Sequence, residues 1–138
     1  MIIELVNQWE ENKHKLKEYF RTTNQNEYSS YKSILKKVFE LCIPQSNDYS
    51  EWDLDKMTVI DDGDYQGTLI FIVPTDCYQP SLGDYVVTNT YYGSCSGCDT
   101  LEGIRYSTDD YGNGFPNEEQ VKEYMTLALH LVQKLKWL

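Results

Sequence analysis

The stretch MTVIDDGDYQGTLIFIVP, residues 57–74, decides what kind of fold this chain adopts. It begins and ends in β-branched and apolar residues, with three aspartates and two glycines between. Two β-forming runs around Asp-Gly signal a hairpin, because those residues tolerate the backbone angles a tight turn demands. The spacing therefore predicts a turn at Asp62–Gly63. The run from Leu69 to Val73 is uniformly apolar and reads as a central strand buried on both faces. Pro74 ends it, since proline removes the N–H that the next ladder bond would need.

Downstream, YVVTNTYY (85–92) is a third strand, rich in β-branched and aromatic residues. TLEGIRYS (100–107) is expected to be a short fourth one, and residues 108–116 read as loop. Upstream, the period changes. Leu5, Val6, Trp9, Leu16 and Phe20 recur at helical spacing, which predicts a helix over 2–20. A polar break at TTNQN (22–26) precedes a second helix, from about Glu27 to Cys42, closed by Pro44. The short link implies an antiparallel helical hairpin. A last helix starts at Asn117, where Asn117 and Gln120 fit a capping box. Its wide apolar face suits packing across a sheet. The expected class is α+β: an N-terminal helical hairpin, a three- to four-stranded antiparallel meander, and a C-terminal helix on the sheet, all in one domain over 1–138.

The net charge of −10 is concentrated. Residues 43–116 hold thirteen acids against only Lys56 and Arg105, while the flanking parts are nearly neutral. A surface of this sign repels a phosphate backbone and attracts basic partners. Direct nucleic-acid binding is not expected. Aspartate is also a turn residue, so the excess is read two ways. It marks loops, or it forms an acidic docking face at Asp61, Asp62, Asp64, Asp109 and Asp110. No apolar run reaches the ~20 residues of a membrane helix. MIIELVNQWEENK lacks the basic start and small-residue site of a secretory signal. The expectation is a cytoplasmic protein whose thiols stay reduced.

The odd passage is NTYYGSCSGCDTLEGI, residues 89–104. Cys95 and Cys98 stand three apart among glycines and serines. Zinc takes four ligands, usually as two pairs, and here there is one pair. Cys77 could be a third ligand beside Cys95 and Cys98, and His130 or Asp99 the fourth. No resident metal is expected, with zinc as the minority alternative. A redox pair wants a helix N-terminus, and Gly103 argues against a helix starting at SGCDTLEG. The thiols are otherwise small hydrophobes in a tight turn shaped by Gly93 and Gly97. A further alternative is a ligand or partner loop. Backbone N–H groups and side chains from Tyr92, Gly93, Ser94, Cys95, Ser96, Gly97, Cys98, Asp99 and Thr100 would surround a small polar ligand. Tyr91, Tyr92, Tyr106 and Tyr111 would supply stacking faces. VIDDGDYQG fits no calcium-loop register. His14 lies among lysines, and His130 between two apolar stripes of the last helix.

The string YGSCSGCDTL, residues 92–101, resembles one carried by a group of uncharacterised bacteriophage proteins after an aromatic-rich strand. The resemblance covers about ten residues. It implies a phage accessory protein acting in a bacterial cytoplasm, and it implies no particular activity. The function carried forward is non-enzymatic binding of a host or defence-system protein, a basic one where the acids stand in the place of a phosphate track. Abundant tyrosine suits such an interface. The alternatives are a small-ligand-binding protein or zinc-dependent enzyme centred on Cys95 and Cys98, and a virion structural component. Unpaired edge strands would also permit a homodimer.

Overall fold

The computed structural model describes residues 2–43, 51–76, 82–95, 97–108 and 112–137. Pro44, Cys77, Ser96, Asp109, Asp110 and Tyr111, each named above, lie outside the described residues.

Helix α1 (Ile2–Thr22) and helix α2 (Tyr31–Leu41) form the expected hairpin. The Tyr28 hydroxyl donates to the Phe20 carbonyl, while at the far end Asn12 Nδ2 donates to the Cys42 carbonyl. The two helices therefore run antiparallel. The second helix starts later than expected. Asn24 caps a 3-10 turn over Gln25–Tyr28, and Ser30, in a capping box with Ser33, starts α2. Each cap satisfies backbone N–H groups that have no partner inside the helix.

Strands β1 (Thr58–Gly63), β2 (Gly67–Pro74) and β3 (Tyr85–Tyr92) are an antiparallel meander, in spatial order β1-β2-β3-β4. The hairpin turn starts two residues later than predicted, at Asp64–Gln66, because Asp61, Asp62 and Gly63 continue the ladder. Gly63 and Gly67 face each other across its neck, and a Cβ on either would collide with backbone of the opposite strand. Only glycine fits both positions, which fixes where the hairpin closes.

The fourth strand is a correction. Thr100–Arg105 is not a strand but a short helix, α3, and β4 is Lys136–Trp137, paired antiparallel with β3 at Val86 and Val87. Two local causes make α3 helical. Asp99 caps it by accepting from the Glu102 N–H, and Leu101 and Ile104 bury one face at a three-residue interval. Gly103 lowers helix propensity by only about 1 kcal/mol, which capping and burial offset.

Helix α4 (Glu118–Gln133) opens on the expected Asn117–Gln120 capping box. It packs on β3 and against α1, α2 and α3. At the sheet, the Thr88 hydroxyl donates to the Leu131 carbonyl at 2.7 Å. Between the helices an aromatic triad fills the core. Phe20, Tyr28 and Tyr124 have centroids 4.9 to 5.3 Å apart. Buried Gln25 accepts from the Tyr124 hydroxyl and the Gln120 amide through Oε1, so both of those donors enter the core with a partner. Several tyrosines that composition suggested for an interface are thus core residues.

The sheet has one covered face and one open face. Phe71, Val73, Val86 and Thr88 point to the helices and are buried. Ile70, Ile72 and Val87 point the other way and are half-buried, with Ile60 45% exposed. The expectation that β2 is buried on both faces is therefore corrected: among the described residues Ile70 and Ile72 on its outer face are only half-buried. Phe71→Ala should cost about 3–5 kcal/mol in urea unfolding, as a buried aromatic truncation does. Ile70→Ala on the open face should cost about 1 kcal/mol.

Candidate functional site

The loop after β3 is organised by one side chain. Asp99 is buried, and its carboxylate accepts three hydrogen bonds. Oδ1 takes the Tyr31 hydroxyl at 2.8 Å and the Glu102 N–H at 3.1 Å, and Oδ2 takes the Gly93 N–H at 2.9 Å. The Tyr31 oxygen in turn accepts from the Leu101 N–H at 3.1 Å. Burial above all holds the Tyr31 phenol far above its ordinary range, so it keeps the proton it donates. The loop is therefore closed between Gly93 and Asp99, pinned to the first turn of α2, and continued into α3. A Cβ on Gly93 would lie 2.5 to 2.6 Å from Cys98 atoms, so only glycine lets the two loop ends meet.

A groove of about 590 Å³ opens beside this clamp, between the start of α2, the β1–β2 hairpin and α3. Val59, Leu69, Phe71 and Leu101 give it an apolar floor, and Asp61 and Glu102 stand at its side with Lys32 as the cation. The Tyr92 hydroxyl donates to Asp61 Oδ1 at 2.5 Å across the hairpin. That bond, more than any other influence, raises the Tyr92 pKa to about 12. The carboxylate is thereby fixed at the groove mouth.

The structure divides the residues that the sequence grouped together. Tyr92, Gly93 and Asp99 line the groove, whereas Cys95 and Cys98 do not. Asp61 faces the groove with Val59, while Asp62, one residue on, faces the opposite side of the sheet, and Asp64 is in the turn. Tyr91 belongs to the open face, and Tyr106 packs against the Arg105 guanidinium, 5.4 Å from its ring centroid. The tyrosines thus make no common stacking platform among the described residues.

The thiols are a close pair. Cys95 Sγ and Cys98 Sγ lie 2.9 Å apart, both exposed, whereas Cys42 is buried with its thiol pushed up to about 12 by burial. Among the described residues no three His, Cys, Asp or Glu side chains come together as a metal group. His130 lines a separate hollow of about 400 Å³ between α3 and α4, with Glu123 and Thr126. Comparison with family models, with curated proteins and with solved structures gives no match for this chain.

Part of this site was readable in advance. Asp99, Thr100, Leu101 and Glu102 follow a helix-start pattern, with a capping acid, a first-turn glutamate and apolar residues at helical spacing. Tyr31 carries no such mark. It looks like one more apolar position of α2, and its bond to Asp99 spans 68 residues. Asp99→Ala should destabilise the chain by about 2–4 kcal/mol, from a lost cap and orphaned buried donors. Tyr31→Phe should cost about 1–2 kcal/mol. The double variant, measured in the same urea titrations, should cost less than the sum, since both substitutions break the same bond.

Proposed function

We propose that the chain is a non-enzymatic binding protein of bacteriophage origin. It docks a basic segment of a host or defence-system protein in the groove beneath the β1–β2 hairpin, within the bacterial cytoplasm. The phage origin rests on the YGSCSGCDTL string at 92–101, and the mode of binding on the groove.

The observation that carries the reading is the groove's divided chemistry: an apolar floor of Val59, Leu69, Phe71 and Leu101 under the carboxylates of Asp61 and Glu102. Lysine and arginine side chains suit such a site, because the methylene stem lies on apolar surface while the charged head reaches an acid. Asp62 and Asp64 extend the negative field around the hairpin and steer a basic partner towards it. Among the described residues β1 is paired on one side only, with β2, which suits an extended segment entering the groove.

The charge-neutral variant Asp61→Asn with Glu102→Gln keeps the shape of the groove and the acceptor for Tyr92. Pull-downs from bacterial lysate with wild type and variant, at low salt and at about 0.5 M salt, test the reading. Basic proteins should be retained by wild type at low salt, released at high salt, and reduced about tenfold on the variant. Equal retention by both proteins, or a salt-insensitive set, would remove the groove from the explanation.

A further inference from the structure

The dithiol of Cys95 and Cys98 is left unused by the binding reading, and its geometry has a chemistry of its own. Both side chains are exposed, and their sulfurs are 2.9 Å apart. The cause is a turn in which the N–H groups of Cys98 and Asp99 both donate to the Cys95 carbonyl, each at 2.9 Å. The Asp99 clamp holds the two ends of that turn in place. Forming a sulfur–sulfur bond of about 2.05 Å therefore needs an approach of under ~1 Å and no opening of the loop. Other uses of cysteine find less support. The pair is outside the core, unlike Cys42, so the thiols do not serve as packing groups.

We propose that Cys95 and Cys98 form a thiol–disulfide exchange site that reduces a small, neutral or cationic disulfide and becomes an intramolecular disulfide in return. The step balances as follows. The Cys95 thiolate, its proton released to solvent, attacks one sulfur of R–S–S–R. A Cys95–S–S–R bond forms, the original sulfur–sulfur bond breaks, and R–S⁻ leaves and takes up a proton. Cys98, deprotonated in its turn, then attacks the Cys95 sulfur, the Cys95–Cys98 bond forms, and the second R–S⁻ leaves and is protonated. The protein loses two electrons and two protons, and the small disulfide becomes two thiols.

The order of roles follows from the surroundings of each sulfur. Cys95 accepts from the Cys98 thiol and from the Gly97 N–H, which together lower its pKa. Cys98 is raised, first by donating that same hydrogen bond and then by the nearby Cys95 charge. The backbone N–H of Gly97, which serves the Cys95 sulfur, is the asymmetry that makes Cys95 the proposed attacking thiol and Cys98 the resolving one. Among the described residues Glu102 opposes negative charge at either sulfur. An anionic disulfide is repelled and a cationic one attracted, which sets the preference for charge.

The test uses the reduced wild-type protein with three small disulfides: cystamine (cationic), hydroxyethyl disulfide (neutral) and oxidised glutathione (anionic). Thiol counts and intact mass follow the reaction. Cystamine should remove two thiols from the wild type, with a mass loss of two hydrogens and no lasting adduct. Cys98→Ser should stop at a one-to-one adduct on Cys95, and Cys95→Ser should react about tenfold more slowly. Rates should fall from cystamine to hydroxyethyl disulfide to oxidised glutathione, with differences shrinking as salt rises. The proposal is overturned if the wild type keeps both thiols or accumulates a double adduct without closing. It is equally overturned if folded protein reacts no faster than the urea-unfolded chain, or if the pair holds about one equivalent of zinc that blocks exchange.

Discussion

A buried carboxylate is costly unless hydrogen bonds replace the water it gives up, and Asp99 has three. That requirement joins parts of the chain that local preference would leave independent. Tyr31 brings the first turn of α2, Gly93 the end of β3, and Glu102 the start of α3. Removing any one donor leaves the others to hold a charge in a dry setting. The three elements therefore keep their relative placement as a unit, and both the groove and the dithiol are consequences of it. The groove is the space left between the clamped elements, and the thiols sit on the outer bend of the loop it closes.

The two sites use opposite faces of the same few residues. Inside the bend, Gly93, Asp99 and Tyr92 meet the apolar floor of the sheet; outside it, Cys95 and Cys98 meet solvent. Negative charge is common to both. Asp61 and Glu102 favour a cation in the groove, and Glu102 disfavours an anion at the sulfurs. The groove also carries Lys32, so its acidic side faces one cation across the apolar floor.

Much of the frame was visible in local pattern. The helical period over the first forty residues, the period of β-forming runs around the Asp-Gly signal, and the Asn117–Gln120 box each led to an element of the right type. The misreading at 100–107 arose from weighing Gly103 above the cap at Asp99, although a six-residue helix with one buried face needs little intrinsic propensity. The turn at Asp62–Gly63 was displaced because two glycines compete as signals, and their mutual contact selects both as strand residues. The uniform apolar run of β2 could not reveal that only one face is covered. Periodicity reports how apolar a strand is, and the placement of helices decides which side they shield.

The sequence by itself determined the type of the long helices and of the three meander strands, the chain's acidic middle and the nearness of Cys95 to Cys98, because each depends on residues within a few positions of one another. Tertiary structure alone decided that Tyr31 meets Asp99, that Asp61 and Asp62 face opposite sides, and that the thiols are exposed while Gly93 and Asp99 of the same loop are buried. Those outcomes depend on residues far apart in the chain competing for one buried volume, and their geometry is set by packing and hydrogen-bond satisfaction, which no local window of residues contains.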